Sequence, residues 1–225
     1  KITEAGKKAV LTAITFTTDL QLLKADIIIE AIVEKTEAKQ ELFQKLAAIN
    51  SSETILATNT SSIPVTRIAK NIPHPGRVAG LHFFNPAHIM QLVEIISGAE
   101  TLPEVAETLK NLTLKIGKTP ILCQDSPGFI VNRVARHYYV ESLKMLEEKV
   151  ASVETIDTLM ESAGFKLGPF KLMDLVGHDI NFAVTSSLFE SFHQEAKFRP
   201  SRIQQQKVDA GHLGKKSGKG FYNYN

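Results

Sequence analysis

One cysteine in 225 residues, Cys123, excludes an internal disulfide framework and suits a reducing compartment. It reads as a small strand residue before a polar turn. No apolar stretch approaches the roughly 20 residues of a membrane-spanning helix. The opening Lys1-Ile2-Thr3-Glu4 has neither an initiator methionine nor a secretory apolar core. The expectation is a chain that begins within a longer sequence and works in the cytoplasm, or in the mitochondrial matrix if its source is eukaryotic. A formal net charge of +2 is too small to make nucleic acid or an anionic membrane the main partner. Zinc-spaced Cys/His clusters, a Gly-x-Ser-x-Gly elbow and His-Glu-x-x-His are all missing, so hydrolase and metal chemistry start low. The 13 glycines hold no Gly-x-Gly-x-x-Gly behind a strand; the only Gly-x-Gly, Gly218-Lys219-Gly220, lies in the tail. That tail, Gly211–Tyr224, lacks phosphate-loop spacing and reads as a solvated loop whose aromatics dock on the body.

With 43% hydrophobic and 22% charged residues, the chain can bury a core as one or two domains. The spacing predicts a helix at Thr3–Ala13, a short strand at Ile14–Thr17, then strand 26–32, helix 36–49, strand 54–57, helix 63–70, strand 77–83 and strand 92–97. A helix at about 103–116, opened by proline, and strand 119–123 follow. Helices alternating with buried strands imply a parallel sheet with right-handed crossovers. After the turn cluster 124–128 only helices are expected, at 129–149, 152–163, 169–176 and 179–195. The expected domains are therefore residues 1–123, α/β, and residues 124–225, all-helical.

His82 lies inside the apolar run Val78–Phe84 and Glu94 inside Leu92–Ile96. An ionisable side chain is costly to bury alone, so two at neighbouring strands can relieve each other. Paired, the carboxylate would fix the imidazole tautomer and leave its other nitrogen free to move a proton. A core histidine beside an unrelated edge glutamate also fits the pattern. Asn59-Thr60-Ser61-Ser62 follows a buried strand, where open α/β sheets present ligand-facing loops, although such residues equally cap helices. Glu34 and Lys39, beyond strand 26–32, could face a nucleotide or solvent. Asn132 stands one turn into the long helix where the two domains must meet. The remaining histidines read as surface or packing residues.

Taken together, DIIIEAIVE (26–34), NTSSI (59–63), GLHFFNP (80–86) with LVE (92–94), DSPGFIVNR (125–133), GPFKL (168–172) and GKKSGKGFY (214–222) resemble the L-3-hydroxyacyl-CoA dehydrogenase family in order and spacing along essentially the whole chain. The resemblance implies a partial Rossmann-type parallel sheet followed by a helical domain that supplies a homodimer interface. It also implies NAD-linked oxidation of a 3-hydroxyacyl-CoA to the 3-ketoacyl-CoA, a step of fatty-acid β-oxidation. His82 then matches the general base, Glu94 the carboxylate that orients it, and Ser61 and Asn132 the residues that hold the reacting substrate oxygen. Ala31, Glu34, Lys39, Asn59 and Asn85 match cofactor contacts, Asn85 also helping to order the site beside His82.

The family's leading strand, Gly-rich turn and second strand have no counterpart in this sequence, which in that register starts just before the third strand of the cofactor domain. In the strand order 3-2-1-4-5-6 the strand at 26–32 becomes an apolar edge, expected to be covered by dimerisation or by the chain's first residues. Two functions stay open: the NAD-dependent dehydrogenase, and a catalytically inactive dimerising or acyl-CoA-binding module.

Overall fold

The computed structural model describes residues 2–224. Helix α1 (Glu4–Thr12) is capped by Thr3, whose hydroxyl accepts from the Gly6 amide, and buries none of its residues. The strand expected at Ile14–Thr17 does not form: the segment is irregular, Phe16 is 82% exposed, and neither it nor α1 adds a strand to the sheet. β-Prone residues become a strand only where a neighbour takes their backbone groups.

The sheet is built from β1 (Ile27–Glu30), β2 (Ile55–Thr58), β3 (Val78–Phe83), β4 (Leu92–Ser97) and β5 (Thr119–Gln124) in the order β1-β2-β3-β4-β5. Helix α2 (Thr36–Ile49) joins β1 to β2, α3 (Val65–Ile68) lies between β2 and β3, and α4 (Pro103–Lys115) joins β4 to β5. Three of the four joints are parallel; β3 and β4 are antiparallel. Residues 84–91 are fewer than the dozen or so that a parallel crossover needs, so the chain must turn back at this point. Alternate residues of β2 face opposite cores: Leu56 joins Phe43, Leu46, Val65, Ile68 and Val78, while Ile55 and Ala57 join Leu81, Val93, Val105 and Leu109. β1 forms one edge, and no strand pairs with its outer side among the described residues.

After β5 come only helices: α5 (Val131–Glu147), α6 (Val153–Ser162), α7 (Pro169–Val176), α8 (His178–Ser191) and α9 (Arg202–Asp209). The last was not anticipated, because α9 is polar nearly all round and buries only Gln204, whose amide donates to the Asn181 side chain. The tail closes over this bundle. Asp174, fully buried, accepts hydrogen bonds from the amides of Phe221 and Tyr222, the Tyr224 hydroxyl and His178 Nε2. His178 is thus a packing histidine, edge-on to Phe221, with a carboxylate partner that the sequence pattern did not reveal. Gly214 and Gly220 come so close to Asp174 that a Cβ on either would collide with it. Among the described residues no helix is long and apolar enough to cross a membrane, and no group of three or more His, Cys, Asp or Glu could hold a metal ion.

The four tyrosines, Tyr138, Tyr139, Tyr222 and Tyr224, carry a pH prediction. Burial pushes every one of their hydroxyls up, that of Tyr138 to about 12, and the carboxylates of Asp157 and Asp174 reinforce this at Tyr222 and Tyr224. A group whose pKa is raised on folding stabilises the fold fully below its unfolded value, about 10 for tyrosine, and loses that contribution as pH rises through the folded value. Tyrosinate absorbance should therefore stay flat past about pH 10 and appear together with loss of the helical circular dichroism. A tyrosine titrating near its ordinary value in the folded chain would contradict this.

Candidate active site

The antiparallel joint sets His82 opposite Glu94. Their side chains meet, with His82 Nδ1 2.8 Å from Glu94 Oε2, and both residues are buried. The other carboxylate oxygen, Oε1, accepts the amides of Ile130 and Val131 at 2.9 Å each. These amides open α5, so the helix dipole also favours the negative charge there. Burial pushes the Glu94 carboxyl up, but the bonds from His82, Val131 and Ile130 outweigh it and hold it below its ordinary range. Glu94 is therefore an anion at neutral pH. A carboxylate only accepts, so Nδ1 carries the hydrogen, and in the neutral ring Nε2 is left as the acceptor.

Ser61 Oγ lies 3.0 Å from that Nε2 and donates to it. Ser61 stands in the loop after β2, which several bonds hold in place. Asn59 Oδ1 accepts the Phe83 amide at 2.8 Å, tying the end of β2 to β3. Glu34 Oε1 accepts the Thr60 hydroxyl and the Ser61 and Ser62 amides. Behind it Lys39, 1% exposed, bridges Glu30 at 2.7 Å and Glu34 at 3.2 Å. Asn132 Nδ2 comes to 3.5 Å from the Ser61 carbonyl, the outer limit of a hydrogen bond. The rings of Phe84 and Phe129 stand 4.6 and 5.8 Å from the imidazole and wall it against water.

The fold thus gathers Ser61, His82, Glu94 and Asn132, with Asn59, Glu34 and Lys39 behind them. Ala31, just past β1, and Asn85, before the cis Pro86, are exposed, and neither side chain forms a hydrogen bond among the described residues. Sequence reasoning placed Thr60 in the candidate loop 59–62 without a role of its own, and missed the amides of Ile130 and Val131 and the part played by Glu30. Glu30 had a usable signal, an acid inside the apolar run DIIIEAI, the same kind that singled out His82 and Glu94.

The carboxyl ends of β1 and β2 leave Ile32 and Val33 exposed, at 42% and 58%, beside Ala31, Glu34 and Asn59. An apolar shelf next to a proton acceptor fits the ring end of a nicotinamide dinucleotide. The Gly-rich turn that would seat a pyrophosphate is not in the sequence.

The family profile described as 3-hydroxyacyl-CoA dehydrogenase, NAD binding domain, matches residues 1–126, and that of the 3-hydroxyacyl-CoA dehydrogenase C-terminal domain matches residues 128–224. A 3-hydroxyadipyl-CoA dehydrogenase of Escherichia coli is 52% identical over the whole chain, and a probable 3-hydroxybutyryl-CoA dehydrogenase of Deinococcus radiodurans is 42% identical. The chain spans 48% of the former's length and 81% of the latter's. Among solved structures, 3-hydroxybutyryl-CoA dehydrogenase from Escherichia coli superposes with a TM-score of 0.97 at 51% identity, covering 99% of this chain and 48% of that one. The (S)-3-hydroxybutyryl-CoA dehydrogenase from Ralstonia eutropha gives 0.95 at 37% identity, covering 100% of this chain and 80% of that one.

Proposed function

Because the chain belongs to the 3-hydroxyacyl-CoA dehydrogenase family, we propose that it interconverts an L-3-hydroxyacyl-CoA and the 3-ketoacyl-CoA with NAD, His82 serving as general base. The observation that carries this reading is the relay Ser61 Oγ, His82 Nε2, His82 Nδ1, Glu94, anchored on the first amides of α5. In the oxidative direction the substrate hydroxyl gives its proton to Nε2, and the fixed Glu94 carboxylate stabilises the imidazolium that results. NAD, when bound, supplies the acceptor for the hydride that leaves C3. Ser61 Oγ, already at Nε2, and Asn132 hold the substrate oxygen in line, which lowers the barrier by orientation. Phe84 and Phe129 keep water from the imidazole.

Ala31, Glu34 and Asn59 would border the ring of the cofactor. In the same reading residues 1–123 carry the cofactor and the base, while residues 124–225 supply Asn132 and the interface of a homodimer in the cytoplasm. Exposed Val134, Leu175 and Ile180, on α5, α7 and α8, support that interface. An acyl-CoA is the partner; neither nucleic acid nor a membrane enters the reaction.

The test is loss of NADH absorbance on adding acetoacetyl-CoA, alongside titrations of each ligand alone. Turnover that needs both is the expected result. Binding of acetoacetyl-CoA without NADH consumption would replace the enzyme reading with that of an acyl-CoA-binding module.

A further inference from the structure

We infer that Gly128 and Phe129 are positioning residues: their backbone, wound left-handed at the seam between the two domains, aims the Ile130 and Val131 amides at Glu94 and so sets how tightly the His82–Glu94 pair holds a proton. The kinetic part of this inference rests on the reaction proposed above; the structural part does not.

Gly128 has φ +73° and Phe129 φ +49°. For a bulky side chain that conformation crowds Cβ against the backbone, so it persists only where the surroundings over-determine it. Here they do so on every side. The Phe129 side chain, 4% exposed, is built into the core with Phe43, Leu56, Val65 and Ile96, and its amide donates to the Ser126 carbonyl at 2.8 Å. Upstream, the Asp125 amide donates at 2.9 Å to the carbonyl of Ser97, the last residue of β4, and the Asp125 carboxylate accepts the Thr66 amide at 2.8 Å. Downstream, Gly128 rests on the helical domain: a Cβ there would lie 2.7 Å from Leu188 of α8, which is 2% exposed and has no room to yield. The turn is pinned both to the strand that carries Glu94 and to α8. From it emerge the two amides that converge on Glu94 Oε1 at 2.9 Å each. Glu94 is 0% exposed, so water does not replace them, and the conformation at 128–129 decides whether that oxygen is satisfied. Two donors share the carboxylate's charge, which loosens its hold on an imidazolium at His82. Cys123, whose thiol burial and the Glu94 charge push up to about 12, is neutral and adds no charge to this balance.

Phe129→Leu and Phe129→Ile form the informative pair. Both lose the ring beside His82 and fill about the same volume, but isoleucine is β-branched and opposes the left-handed conformation. Relative to Phe129→Leu, Phe129→Ile should quicken hydrogen exchange at the Ile130 and Val131 amides about tenfold or more. In acetoacetyl-CoA reduction, where the imidazolium gives up its proton, the alkaline limb of the kcat profile should move up by about one pH unit, because a carboxylate without those amides holds the imidazolium more tightly. At neutral pH kcat should fall about tenfold while KM for NADH changes less than about twofold. Equal exchange at both amides, an unmoved alkaline limb, or an effect confined to KM would each overturn the proposal. If Phe129→Ile does not fold, Gly128→Ala replaces it with wild type as the reference: its methyl opposes φ +73° and meets Leu188, and the same readouts decide. A wild-type chain without turnover would instead sink the reaction, and exchange at the two amides alone would then decide whether the turn holds Glu94.

Discussion

His82→Gln is expected to lower the rate of acetoacetyl-CoA reduction by about 10²- to 10⁴-fold, the range for loss of a positioned general acid or base. The fold should survive. Glutamine is close to histidine in reach, and its amide can still donate to Glu94 Oε2, while Glu94 Oε1 keeps the Ile130 and Val131 amides. What disappears is the basic ring nitrogen opposite Ser61 Oγ: an amide oxygen can accept a hydrogen bond there but does not take up a proton near neutral pH. No other imidazole substitutes for it: His178, the other histidine with a buried carboxylate partner, is fully enclosed and bonded to Asp174 in the helical bundle. Because Glu94 is held below the ordinary carboxyl range, its own protonation should not limit the rate near neutral pH. The comparison is made at matched helical circular dichroism and unfolding midpoint. A folded His82→Gln chain within about tenfold of wild type would remove the imidazole from the mechanism.

The pairing of His82 with Glu94 was legible because each is an ionisable side chain in an apolar run, and burial leaves few ways to satisfy such a group. The strands and α2 were legible for a similar reason: continuous apolar stretches alternating with helical spacing have few other solutions. Other features depend on what a segment meets in space. Ile14–Thr17 has strand composition but no neighbour, so its propensity is not realised. The reversal at β4 was recoverable, since residues 84–91 are too few for a parallel crossover. Glu94's bonds to Ile130 and Val131 were not, because a backbone amide has no letter in the sequence. Asp174 and His178 sit four apart, yet Gly177 divides α7 from α8 between them, so the spacing does not read as one helix face. Lys39 was placed near the correct loop, but its burial depends on Glu30, nine residues earlier on a different element.

That burial leads to the largest stability effect expected of the chain. Lys39→Met keeps the length and most of the volume of the side chain but leaves Glu30, whose side chain is 0% exposed, with no cation. Breaking a buried ion pair from one side costs about 3–5 kcal/mol, because the remaining charge stays desolvated, and total stability is only about 5–15 kcal/mol. The urea midpoint should fall by a comparable fraction at an unchanged slope. The Thr58 hydroxyl and the Ile32 amide still donate to Glu30, so the deficit belongs to the unpaired charge. Adding Glu30→Gln should return most of the loss, since a neutral amide can still accept from both donors and no isolated anion remains. This ordering, with the double variant more stable than Lys39→Met alone, separates charge burial from lost packing. If packing were the cause, the second substitution would return nothing. The same variant also removes the cation behind Glu34, so exchange at the Ser61 amide should quicken in Lys39→Met under conditions where the chain is still folded. Lys39 would then link the stability of the α2–β1 joint to the placement of Ser61 beside His82.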